Sequence, residues 1–233
     1  MPSSDFTHNQ LLAALPSADL DRLRPHLERV DLPLKQVVHA PGAPIEHVYF
    51  PDAGMVSLIT AADENHAVEV GTVGREGLVG TPVALGTDRA PVKALVQIPG
   101  TAQRLPAGLL RDEMNGNAAL RDLVLRYVQA LFVQVSQTAV CNRLHTVEER
   151  LARWLLMAHD RAETDRLPLT QEFLAIMLGV RRAGVTVAAG TLQNAGLIRY
   201  NYGRITVLDR ASLEASSCAC YGLAKDECDR LLG

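Results

Sequence analysis

The chain is short of cysteine, of positive charge and of long apolar runs. Four cysteines occur, none before Cys141 and three within the last sixteen residues. That excludes a disulfide framework, and the thiols are expected to be free. Apolar runs fall far short of the ~18 residues a membrane span needs, and Met1-Pro2-Ser3-Ser4-Asp5 lacks the basic and apolar regions of a signal peptide. A cytoplasmic protein without a membrane partner is therefore expected. The net charge of -3 excludes a strongly basic nucleic-acid coat. Gly-x-Ser-x-Gly, Walker, GxGxxG and His-Glu-x-x-His motifs are missing and the carboxylates are dispersed, so the chain is not expected to be an enzyme. What is present is 233 residues that are 48% apolar, enough for one large or two small domains with real cores.

Charge is unevenly placed. Residues 1–140 carry 11 basic and 15 acidic side chains, whereas residues 141–233 carry 12 and 11. Residues 167–208 hold four arginines, Arg181, Arg182, Arg199 and Arg204, against one acid, Glu172. A basic island in an acidic chain points to an anionic partner at one face.

Residues 9–29 read as short helices, with Ser17 as an N-cap and Leu20, Leu23 and Leu27 at helical spacing. From Leu32 the period changes. Stretches 36–39, 47–50, 56–60, 68–73, 92–98 and 102–105 are rich in β-branched or aromatic residues, and Gly and Pro separate them as turns at Pro41-Gly42, 51–54, Gly74 and Pro99-Gly100. Such spacing indicates an antiparallel sandwich or small barrel over 32–106. Residues 118–141 contain neither Gly nor Pro and predict one long helix. Its seam Leu120, Val124, Tyr127, Leu131, Gln134, Thr138 and Cys141 alternates three- and four-residue steps and is expected to face the same helix of a second subunit. A further amphipathic helix covers 147–161.

The region after Pro168 carries the function. Thr170 is an N-cap for a helix with the stripe Phe173, Leu174, Met177 and Leu178, and Gly179 ends it. A second helix runs from near Arg182 to Gly196, with Val185, Ala188, Ala189 and Leu192 inward. A small residue at Ala175, glycine at Gly179 and apolar residues at Val185 and Ala188 suit two helices crossing at about 90–120°. Gly184 and Gly190 inside the second helix each cost about 0.5–1 kcal/mol against Ala. Leu197 to Leu208 then reads as a β-hairpin turning at Asn201-Tyr202-Gly203. Helix-turn-helix followed by hairpin is a winged-helix arrangement. Arg181 and Arg182 at the start of the second helix would face base edges in a major groove, Arg182 with guanine O6 and N7. Thr170, Gln171, Thr186, Arg199, Tyr200, Tyr202 and Arg204 would position phosphates. A winged helix that binds protein instead of DNA is the alternative.

The order of parts, with Leu169-Thr170-Gln171-Glu172-Phe173-Leu174-Ala175 and Gly179-Val180-Arg181-Arg182, resembles the Crp/Fnr family of bacterial transcription regulators over residues 10–210. The resemblance implies an α+β chain with an N-terminal antiparallel, jelly-roll-like β-roll, a long dimerisation helix and a C-terminal winged helix-turn-helix. The implied domains are a sensor (1–116), the dimer helix (117–141) and a DNA-binding domain with a tail (142–233). The implied partners are a palindromic double-stranded operator, a second copy of the chain and RNA polymerase. Arg182 matches the family's base-reading arginine. Ala183 stands where an acidic residue usually follows, and Val187 where a second arginine is frequent, so the operator is expected to differ from the family's common half-site.

Cyclic-AMP-binding members carry Gly-Glu followed by Arg-Ser/Thr-Ala, whereas this chain has Gly80-Thr81 and Arg89-Ala90-Pro91. The carboxylate for the ribose is missing, so any effector is expected to be another small molecule near Thr81 and Arg89; Gln134, Ser136 and Gln137 of the long helix either line its pocket or form interhelical hydrogen bonds that set register. No cofactor is expected. Without cysteines before Cys141, the N-terminal iron-sulfur cluster of oxygen-sensing relatives is excluded. Cys218, Cys220 and Cys228 form Cys-x-Cys-x7-Cys, three thiolates short of a fourth ligand, and read as free thiols in a helical tail, with metal or redox chemistry as the alternative. His145 and His159 read as interhelical histidines.

Overall fold

The computed structural model describes residues 7–63, 66–162 and 164–232. Two compact units emerge: Met1–Leu58 with Thr72–Phe132 and Cys228–Gly233, and Ile59–Gly71 with Val133–Glu227.

The first unit begins with α1 (Gln10–Ala13) and α2 (Ser17–Leu23). Asn9 caps α1: its Oδ1 accepts from the backbone of Leu11 and Leu12, and its Nδ2 donates to the carbonyls of Pro51 and Gly77. Asp52 receives the Thr7 hydroxyl at 2.6 Å and the Gln103 amide at 2.9 Å. These buried bonds tie the start of the chain to the sheet behind it. Pro16, not Ser17, holds the N-cap position of α2 and makes no side-chain cap bond. Ser17 opens the helix instead, because proline's fixed φ already sets the entry.

The strands are β1 (Glu28–Leu32), β2 (Val37–His39), β3 (His47–Asp63), β4 (His66–Val73) and β5 (Lys93–Pro106). They are ordered β1-β5-β3-β4, with β2 also on β5, and β1 and β2 pair with β5 antiparallel. Two expected turns are corrected here. Residues 51–54 and Pro99-Gly100 lie inside β3 and β5, which run straight through them. Their glycines meet instead: a Cβ at Gly54 would sit 2.6 Å from the Ile98 carbonyl oxygen, and one at Gly100 2.0 Å from that of Ala53. The two strands approach each other there so closely that only glycine lets the backbones touch. Residues 28–29, read as helix, belong to β1, whose register Glu28↔Arg104 to Leu32↔Gly100 overrides the local leucine spacing.

A core of Phe50, Leu78, Val96, Leu105, Leu110, Leu120, Val124 and Tyr127, among others, fills this unit. It receives α3 (Ala107–Gly116) and the first part of α4 (Ala118–Leu144). Asn117 accepts the Leu120 N–H and starts α4.

The seam expected to meet a second subunit is corrected at four of its residues, Leu120, Val124, Tyr127 and Cys141, which are buried in their own chain. Leu131 packs half-buried against the same core as the first three. Cys141 is buried beside Cys218 and Cys220, and Thr138 accepts from Arg153. Leu125, Phe132 and Val140, at seven- and eight-residue steps, are exposed instead. At 3.6 residues per turn they lie on the opposite side of the helix. Spacing alone found an apolar face; α4 has more than one, and the fold buries the larger.

The second unit is built on α5 (Val147–Ala162), buried continuously from Arg150 to Ala158. Thr146 and Glu149 form a reciprocal capping box at its start. Around it lie β6 (Arg166–Leu167), α6 (Gln171–Leu178), α7 (Arg182–Asn194), β7 (Ile198–Asn201), β8 (Arg204–Val207), α8 (Arg210–Ala215) and the start of α9 (Cys220–Leu232). Trp154 donates to Glu69 at 2.7 Å and stacks edge-on against Phe173 at 5.8 Å. His159 accepts from Arg210 at Nδ1 and so donates from Nε2 to Asp165, fixing one neutral tautomer. No single described helix is long and apolar enough to cross a membrane.

Candidate nucleic-acid interface

Helices α6 and α7 meet at 105°. Thr170 caps α6 by accepting the Phe173 N–H at 3.2 Å. Gly179 closes it with φ 60°, while the N–H groups of Gly179 and Val180 bond back to the carbonyls of Ile176 and Ala175. This pair of bonds is a Schellman ending, and it needs a residue that tolerates the left-handed region. A Cβ on Gly179 would also come 3.1 Å from a Val68 methyl. Val185, Ala188, Ala189 and Leu192 are buried, at about 1.5–3 kcal/mol for each of the larger two, and they set the rotation of α7. Its other face is thereby presented outward.

On that outer face Arg181, Arg182, Thr186 and Val187 are exposed. The Thr186 hydroxyl lies 2.9 Å from Gln171 Oε1 and 3.1 Å from the Arg182 carbonyl, bracing the start of α7 against α6. Arg150, buried in α5, donates to the Leu178 carbonyl at the end of α6 and to Asn142 Oδ1. Sequence reading missed this fastening, since a buried arginine has no periodic signature.

The wing is β7 and β8, in register from Ile198↔Val207 to Asn201↔Arg204. Tyr202 (φ 45°) and Gly203 (φ 75°) form its two-residue turn, the geometry that matches strand twist. β6 adds a third strand on β8, too short at two residues to leave a pattern in the sequence. Tyr202 is 98% exposed, Arg199 and Arg204 are exposed, and Tyr200 is half-buried. Thr170 is exposed and Gln171 half-buried. Among the described residues, none of Arg181, Arg182, Arg199 or Arg204 forms an ion pair. The basic island therefore faces solvent with its charge uncompensated.

In the first unit a cavity of about 50 Å³ is lined by His39, Ile45, Leu58, Gly80, Thr81, Pro82, Ala90 and Pro91, among others. Thr81 is one of the lining residues. Arg89 does not line the cavity; its guanidinium donates to the Gly42 carbonyl at 2.8 Å. Gln134, Ser136 and Gln137 are half-buried on the part of α4 that belongs to the second unit. His39 was not anticipated. Its Nε2 donates to the His47 carbonyl at 2.9 Å, and burial pushes its pKa down.

The second unit also gathers sulfur. Cys141 Sγ lies 3.4 Å from Cys218 Sγ, and Cys220 Sγ 3.6 Å from His145 Nδ1. Hydrogen bonding between the first two raises the Cys141 thiol and lowers that of Cys218, as expected when one thiol donates its proton toward the other. Cys228, expected as the third sulfur, lies in the other unit; Cys141 and His145 take its place because the fold, not the C-terminal spacing, chooses the neighbours.

Fold and site together define a winged helix-turn-helix protein with an N-terminal β-roll. Residues 149–216 match the Crp-like helix-turn-helix domain. A putative Crp/Fnr regulator of Eubacterium rectale is similar over 88% of this chain and 96% of its own, at 18% identity and TM-score 0.66. The c-di-GMP responsive global regulator CLP of Xanthomonas campestris covers 82% and 99%, at 18% identity and TM-score 0.67. A Crp/Fnr-family regulator of Thermus thermophilus covers 82% and 98%, at 23% identity and TM-score 0.64. None of the curated proteins matches the sequence. The chain thus carries a Crp-like helix-turn-helix domain and has the fold of the Crp/Fnr transcription regulators.

Proposed function

We propose that the chain is a homodimeric, sequence-specific DNA-binding transcription regulator. The observation that carries this reading is the set of exposed arginines without acidic partners, at the start of α7 and on the wing, held by a braced and capped helix pair. Arg182 reads a guanine edge in the major groove, and Val187, 64% exposed, suits contact with a thymine methyl. Arg199 and Arg204 hold phosphates from the wing. The exposed stripe Leu125, Phe132 and Val140 on α4 supplies the two-fold contact, so that two α7 helices address a palindrome.

The effector is a small molecule other than cyclic AMP. The pocket beside Thr81 is lined mainly by apolar residues, Ile45, Leu58, Leu78, Val79 and Ala90 among them, with no lysine or arginine to meet a phosphate. Arg89 is also engaged with a backbone carbonyl, and no carboxylate stands beside Thr81 in the cavity lining.

The test compares Arg182→Ala and Arg204→Ala on DNA taken from upstream of the protein's own gene. Arg182→Ala is expected to weaken specific binding by about 1–3 kcal/mol with the dimer intact. Arg204→Ala is expected to weaken all sequences alike and reduce the salt slope by about one. Unchanged affinity in both variants would turn the winged helix into a protein-binding module.

A further inference from the structure

The sulfur cluster has a fourth member that the C-terminal spacing does not reveal. Cys141 and His145 stand one helical turn apart, joined by the His145 N–H to Cys141 carbonyl bond. Cys218 and Cys220 flank Ala219 at the start of α9. The three Sγ atoms and a ring nitrogen of His145 all lie within 4.8 Å of one another. A tetrahedral ion with metal–sulfur bonds of about 2.3 Å spaces its sulfurs about 3.8 Å apart. Two of the donor pairs, at 3.4 and 3.6 Å, already stand close to that separation, and the whole set is too close together for thiolates held on the separate irons of a cluster.

The surroundings point the same way. All three cysteines are buried and His145 is half-buried, so four protein donors enclose the centre and leave no open position. Three thiolates and a neutral imidazole around a divalent ion carry one negative charge. Two arginines more than nine-tenths buried, Arg150 and Arg153, line the adjoining pocket with Cys141, as does the buried carboxylate Glu69. Arg150 donates to Asn142 and Leu178, and Arg153 to Thr138. The Nε atoms of both arginines make no hydrogen bond among the described residues. An anionic centre beside them would offset the cost of burying two cations.

The geometry points to a structural zinc site, with Cys141, Cys218 and Cys220 as thiolate ligands and His145 bound through Nδ1, closing the end of α4 onto the start of α9. Binding releases the thiol protons to solvent and transfers no electrons. The chemistry is that of a borderline-soft divalent ion in a closed site of three sulfurs and one nitrogen. The inference stands apart from DNA binding, since it rests on residues outside α6, α7 and the wing.

The experiment uses the full chain, purified without chelator and dialysed after loading with zinc. Metal analysis is expected to give about one zinc per chain. Mercurial titration is expected to release that zinc as the thiolates are consumed, and cobalt loading to give the charge-transfer and d–d bands of a tetrahedral thiolate centre. Chelator should lower Tm. Cys218→Ser should lose the ion and Cys228→Ser keep it. The wild-type titration and cobalt spectrum decide the matter even where Cys218→Ser does not fold. Zinc well below one per chain with all thiols freely alkylated, or a Cys141–Cys218 disulfide found by mass spectrometry, would overturn the site.

Discussion

His39 shows how a single side chain couples the β-roll to pH. Burial holds its pKa below the ordinary value, about 6.5 for a free histidine, so the folded chain resists protonating it. The stabilising contribution is complete above that ordinary value and is lost as pH falls through the lowered one. Melting temperature followed from pH 7.5 to 5 should therefore fall more steeply for the wild type than for His39→Gln, whose amide can still donate to the His47 carbonyl. Parallel slopes would show that His39 does not drive the acid response. At this scale the sequence revealed the basic island of Arg181, Arg182, Arg199 and Arg204, all exposed in the structure, because arginine in an acidic chain is conspicuous in one dimension. It did not expose His39, Arg150 or the partnership of Trp154 with Glu69. Those roles depend on neighbours eight to eighty-five positions away.

Among elements, the helices and the hairpin were legible because capping residues and buried stripes are local signals. Thr170, Gly179 and the face Val185 to Leu192 stand where spacing put them. The long strands were not legible, since glycine and proline within 51–54 and at 99–100 carry the same signal whether a chain turns or two strands approach closely. Gly179→Ala is expected to destabilise the second unit by about 1–2 kcal/mol, from the left-handed φ and the nearby Val68 methyl. Gly100→Ala should cost the first unit more, because the new Cβ meets backbone that cannot rotate away. Urea unfolding of both variants measures the difference, and equal small effects would contradict the close approach of the two strands. Part of the α4 seam, Leu120, Val124, Tyr127 and Cys141, is buried in its own chain for a related reason. A heptad spacing identifies an apolar face without saying what covers it. Phe132→Glu should halve the mass seen by light scattering while leaving helix content unchanged, and a retained dimer would place the contact elsewhere.

For the molecule as a whole, two units share one continuous helix: α4 begins in the β-roll unit and ends in the DNA-binding unit. In the proposed regulator, an effector acts by favouring one packing of the β-roll on α4 over another, and thereby one spacing of the two α7 helices over another. The most direct test is fluorescence anisotropy of the purified protein on DNA from upstream of its own gene against a scrambled duplex, at two salt concentrations and with and without candidate effectors. A sequence-specific regulator binds the native fragment at least about a thousandfold more tightly than the scrambled one, with affinity falling steeply as salt rises. Equal affinity for both duplexes under every condition would contradict it.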